Sequence, residues 1–137
     1  MARDTRISTV AADAEANATG ALLDGGYLRT YASAKPEDAD TEEVTPHLTE
    51  LRFGTPAFRA AIGGAIASYP LTPDLDTPGD ADAVWYRTFM ADGVTPVFDG
   101  TVGVTGCNLN FKVSARVRPH GEMHIASVTY TVNRKPV

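Results

Sequence analysis

The chain has 137 residues, with 12 basic against 17 acidic side chains and a net charge of −5 at neutral pH. Hydrophobic residues make up 43% and charged residues 21%, the composition of a single globular domain able to bury its own core. No apolar run nears the ~20 residues that cross a bilayer, the acidic balance argues against nucleic acid as a direct partner, and one cysteine excludes an intrachain disulfide and suits a reducing cytoplasm.

Residues 1–7 carry both signs of charge and lead into no apolar stretch, so they are expected to be an N-terminal arm and not a signal peptide. The spacing of Val10, Ala14, Ala18, Ala21 and Leu22 predicts one helix over 8–23 with that row as its apolar stripe. Ser8 or Thr9 can cap its start, and Asp24-Gly25-Gly26 ends it.

Beyond the helix the hydrophobic period becomes two. Tyr27–Tyr31 is predicted as a strand, 32–47 as a long polar loop with Pro36 and Pro46, and Leu48–Phe53 as a second strand ended by Gly54-Thr55-Pro56. The stretch 57–69 is ambiguous, because Gly63-Gly64 breaks a helix there, and a strand over Ala65–Tyr69 is preferred. Residues 70–82 hold Pro70, Pro73, Pro78 and four aspartates and read as a loop. Val84–Met90 is a strand, Asp92-Gly93 a hairpin turn, Val94–Phe98 the return, Asp99-Gly100 another turn, and Thr101–Val104 a further strand.

The clearest alternation is over 108–118. Leu109, Phe111, Val113, Ala115 and Val117 point one way, and Asn110, Lys112, Ser114, Arg116 and Arg118 the other. Residues 119–122 turn the chain, 123–132 is the last strand, and 133–137 a C-terminal tail. The fold class expected is mainly β: an antiparallel, sandwich-like domain of about seven or eight strands over 27–132 with one N-terminal helix.

No residue pattern singles out a catalytic, cofactor or metal site. His120 and His124 are four apart, but Gly121 follows His120 where a helical zinc motif needs glutamate. Asp74, Asp76, Asp80 and Asp82 suit calcium in residue type, yet Trp85 stands where the closing glutamate belongs; weak calcium binding and a solvated acidic loop both remain open. Cys107 follows a glycine in a turn, with no helix N-terminus to lower its pKa. No spacing singles out a carboxylate pair for glycoside hydrolysis. Tyr27, Tyr31, Trp85, Tyr86 and Phe89 could line a sugar-binding face or be core and cross-strand rings. The acidic residues gather at Glu37–Glu50 and Asp74–Asp82, and the basic ones at Lys112, Arg116, Arg118, Arg134 and Lys135, so copies could meet acidic face to basic face.

Two runs, Ala21-Leu22-Leu23-Asp24-Gly25-Gly26-Tyr27-Leu28-Arg29-Thr30-Tyr31 and Leu51-Arg52-Phe53-Gly54-Thr55-Pro56-Ala57-Phe58, resemble segments of a family of small phage virion structural proteins encoded among head and tail assembly genes. So do Trp85-Tyr86-Arg87, Val97-Phe98-Asp99-Gly100-Thr101-Val102-Gly103, Leu109-Asn110-Phe111 and Ser127-Val128-Thr129-Tyr130-Thr131-Val132. The resemblance implies a virion component, and with no catalytic or cofactor pattern in the residues no enzymatic activity and no cofactor are expected. The leading expectation is a capsid decoration or minor capsid protein, made in the bacterial host cytoplasm, that binds the major capsid protein and neighbouring copies of itself. A tail or neck protein and a carbohydrate-binding module are the alternatives. Contact regions are expected at 1–23, 35–50 and 112–118, with Arg3, Arg6, Lys112, Arg116 and Arg118 as interaction residues.

Overall fold

The one helix, α1 (Thr9–Leu22), begins where expected: the Ser8 hydroxyl accepts the Ala11 amide at 3.2 Å. Its end is also as read, since Gly25 takes a positive φ of 68° and Gly26 N–H bonds the Leu23 carbonyl. The buried face is not the predicted one. Ala12, Ala16 and Gly20 are packed inward, while Val10 is 80% and Leu22 47% exposed. The reason is distance of approach. A Cβ on Gly20 would come within 2.9 Å of the Ile66 side chain, so only the smallest residues let the helix lie this close. Asp13 and Asn17 fix the roll by accepting the Gly64 and Ala61 amides.

The computed structural model describes residues 6–42, 46–103, 109–110 and 116–132. Among these the chain is mainly β and almost wholly antiparallel. A five-stranded sheet has the order β2-β1-β6-β7-β8, built from β1 (Tyr27–Tyr31), β2 (Thr49–Arg52), β6 (Trp85–Phe89), β7 (Pro96–Gly103) and β8 (Leu109–Asn110). Three two-stranded ribbons accompany it: β3 (Ala65–Ala67) with β11 (Thr129–Thr131), β4 (Asp74–Thr77) with β10 (Gly121–Met123), and β5 (Ala81–Asp82) with β9 (Arg116–Val117). One core joins them. Leu28, Leu51, Tyr86 and Val102 of the sheet share it with Ala16 and Leu23 at the helix and with Ile66, Val117, Met123 and Val128.

Four boundaries differ from the sequence expectation. The 70–82 loop holds β4 and β5, whose partners lie far along the chain and leave no local signal. No turn interrupts β7 at Asp99-Gly100; Gly100 is required because a Cβ there would run into the Tyr86 ring on β6. The two ends of the predicted 108–118 strand belong to different sheets, β8 pairing in parallel with β7 and β9 antiparallel with β5, and 111–115 lie outside the described residues. The final strand is two, β10 and β11, each claimed by its own partner. Among the described residues the strands outside the five-stranded sheet pair as three ribbons.

Candidate functional site

Alternation sends the side chains of β1, β2, β6 and β7 to two sides of the sheet. Leu28, Leu51 and Tyr86 go to the core, along with Thr30 and Thr49, whose hydroxyls bond each other at 2.8 Å. The outer side receives Tyr27, Arg29, Tyr31, Trp85, Arg87 and Phe89. The registers Arg29↔Glu50, Arg29↔Arg87 and Arg87↔Asp99 set four charges in one row across four strands: Glu50, Arg29, Arg87, Asp99.

Like charges directly opposite on neighbouring strands repel. Each arginine turns away from the other to an acid on its far flank. Arg87 forms a two-pronged pair, Nε to Asp99 Oδ1 at 2.6 Å and Nη2 to Oδ2 at 2.9 Å, with the two side chains only 1% and 6% exposed. Arg29 Nε reaches Glu50 Oε2 at 2.7 Å, and its Nη1 donates to the Gly93 carbonyl at 3.0 Å. Aromatic rings lie against both guanidiniums. Arg29 lies 4.5 Å from the Phe89 ring centroid and Arg87 5.2 Å from that of Trp85, which stacks on Tyr31 at 4.3 Å. Trp85 Nε1 is buried and has no hydrogen-bond partner among the described residues. Burial, with the nearby Asp99 charge, raises the Tyr86 phenol above its ordinary value.

A strap, residues 38–42 of the long β1–β2 connection, crosses this face. It is folded by its own side chain: Asp38 Oδ1 accepts the Asp40 and Thr41 amides and the Thr41 hydroxyl. Those bonds, the Thr41 hydroxyl first, hold the Asp38 carboxyl below its ordinary value. Arg87 anchors the strap by donating from Nη1 to the Thr41 carbonyl at 2.6 Å and from Nη2 to the Asp38 carbonyl at 3.2 Å. A cavity of about 400 Å³ remains between Arg29, Arg87 and Phe89 of the sheet, Asp40 and Glu42 of the strap, and Val94. Val94 belongs to the β6–β7 turn, where Asp92 accepts from Val94, Thr95 and the Thr95 hydroxyl, and Gly93 takes a φ of 72°. This is the hairpin that Asp92-Gly93 signalled. Arginine does not exchange protons near neutrality. The two arginines of the row hold carbonyls and carboxylates.

The basic residues singled out from sequence do not form this site. Arg6 is exposed ahead of α1, Arg118 is exposed after β9, and Arg116 stands opposite Asp82 on the β5–β9 ribbon. Arg3, Lys112 and Cys107 lie outside the described residues. The aspartate stretch is tied into the fold: Asp74 accepts the Glu50 and Asp76 amides, and Asp76 meets His120 Nδ1 at 2.8 Å. No group of three His, Cys, Asp or Glu side chains arranged for a metal occurs among the described residues. His124 meets Glu122 at 3.0 Å. Of the rings considered for a sugar face, Tyr31, Trp85, Tyr86 and Phe89 are all at most 3% exposed.

Sequence reasoning missed Arg29, Arg87 and Asp99, while Glu50 and the strap fall within the expected 35–50 contact region. A signal was present: alternation in β6 sets Arg87 on one side with Trp85 and Phe89, and a cation between two large rings needs a partner and a cover. Comparison with protein-family models, with curated proteins and with solved structures returned no match.

Proposed function

We propose that this protein acts by docking onto other protein surfaces as a structural component, and that its setting is a phage particle, with capsid decoration the first role to test. The observation that carries the docking reading is the outward face of α1. The helix packs through Ala12, Ala16 and Gly20 and turns its larger apolar residues, Val10 and Leu22, to the exterior with Ala14, Ala18 and Ala21 between them. The bonds from Asp13 and Asn17 bring the 61–64 turn alongside, and Ile62 there is 84% exposed. These exposed apolar residues on one side support reading it as a docking surface. The virion setting rests on the sequence resemblance alone. A sugar-binding reading loses its basis, because four of its five rings are buried in the fold.

The test is the copy number of this protein in purified particles, measured against the major capsid protein, for the wild type and for Val10→Asp. A ratio near a simple fraction of the shell lattice, lost in the variant, supports decoration. A handful of copies moves the protein to the neck or tail, and absence from particles overturns the virion reading.

A further inference from the structure

We propose that the outer face of the sheet around Arg29 and Arg87 is a docking site for an acidic turn segment, filled in the lone chain by its own residues 38–42 and, between chains, by the same segment of a second copy. This goes beyond the docking reading of α1 and does not depend on it.

Three features carry it. First, Arg87 holds the strap through the backbone carbonyls of Asp38 and Thr41, at 3.2 and 2.6 Å. A second copy's strap offers the same carbonyls in the same turn, because Asp38 folds that turn with bonds internal to the segment. Second, the strap's Asp40 and Glu42 line one cavity with Arg29 and Arg87, so acidic side chains of the segment lie beside the two guanidiniums. Third, apart from the two Arg87 bonds the strap buries little of itself. Its residues are exposed apart from the half-buried Ala39, whereas every residue of β6 beneath it is buried. Segments with few buried contacts open at little cost.

Exchange between copies makes no new contact, so it is governed by concentration alone. The self-docked form prevails in dilute solution, where the strap's effective concentration at its own site is of order millimolar. Copies held side by side on an ordered surface reach that regime.

The test uses Asp38→Ala, which removes the strap's turn bonds and leaves the sheet untouched, and a second variant with residues 37–42 replaced by glycine and serine. Each is titrated with the peptide Pro-Glu-Asp-Ala-Asp-Thr-Glu, the chain's own 36–42 sequence, with the fluorescence of Trp85, the single tryptophan, as readout. The expected result is saturable binding about tenfold tighter to the variants than to the wild type, whose site is filled. A scrambled peptide of the same composition is expected to bind about fivefold more weakly. Variants that bind the peptide no better than wild type, or no better than its scrambled form, overturn the proposal. Should the replacement variant fail to fold, Asp38→Ala decides, together with amide exchange in the wild-type protein. Strap amides exchanging about a hundredfold faster than those of β6 support an opening strap; equal protection overturns it.

Discussion

Arg29 and Arg87 stand directly opposite each other on adjacent antiparallel strands, and the sheet accommodates them by pairing each with an acid one strand further out. The central strands thus bring together two like charges, and the outer strands supply the compensation. The arrangement ties the strap, the β6–β7 turn and four strands to one row of side chains.

The two halves of the row differ in burial, and their removal should differ in cost. Arg87→Met leaves Asp99 buried without its cation, and a loss of about 3–5 kcal/mol is expected. Arg29→Met removes a pair whose side chains are 18% and 36% exposed, and less than about 1 kcal/mol is expected. Urea unfolding at neutral pH measures both. Equal losses would show that burial does not set the strength of the pairs.

Gly100 gives the Tyr86 ring its space on the neighbouring strand. Gly100→Ala should lose about 1–3 kcal/mol through overpacking against a ring that is 1% exposed. Gly54→Ala, where the nearest atom is the Pro56 carbonyl oxygen at 3.8 Å, should stay within about 0.5 kcal/mol of wild type. Thermal melts of the two variants give the comparison.

The helix makes an ordered set of predictions. Ala16→Leu should cost about 1–3 kcal/mol by overfilling the buried face, and Leu23→Ala about 2–5 kcal/mol by emptying it. Val10→Ser should change stability by less than about 0.5 kcal/mol, since Val10 is 80% exposed. Calorimetry that placed Val10→Ser among the costly variants would contradict the observed roll of α1.

Stability should fall at both ends of the pH scale for separate reasons. The Asp38 and Asp92 carboxyls are held below their ordinary value of 3.8, chiefly by the hydroxyls of Thr41 and Thr95. Their contribution is fully present above that pH and is lost as pH falls through the lowered folded values. Both are fully exposed, so the effect is local, and amide shifts of Thr41 and Thr95 in an NMR titration should report it. The Tyr86 phenol is shifted the other way, above 10.0. Its stabilisation is complete below pH 10.0 and declines above it. Absorbance near 295 nm should show Tyr86 ionising only as the sheet unfolds.

Much of the fold was legible because it is written locally. The Ser8 cap, the Gly25 terminator, the alternation of Tyr27–Tyr31 and the Asp92-Gly93 hairpin each carry their signal within a few residues. What was misread depends on partners distant in the chain. Asp99-Gly100 has the composition of a turn, but Arg87 fixes Asp99 and Tyr86 needs Gly100, so the pair sits within a strand. The helix stripe was placed on Val10, Ala14, Ala18, Ala21 and Leu22, whereas close approach to Ile66 and Phe58 selects the row Ala12, Ala16 and Gly20. The charged row was invisible for the same reason. Its four members come from four strands, and only the registers make them neighbours.

The strand order also sets a schedule for folding. The sheet's centre joins β1 to β6, a strand that begins about fifty residues further along the chain. During synthesis β1 and β2 can emerge as a hairpin with the acidic strap between them, but Arg29 then has only Glu50 for company. The strap's bonds to Arg87 cannot form until that residue has been made. A nascent chain stalled before residue 87 should therefore display its acidic loop unanchored, and the closing of the strap marks the moment at which the sheet acquires its middle.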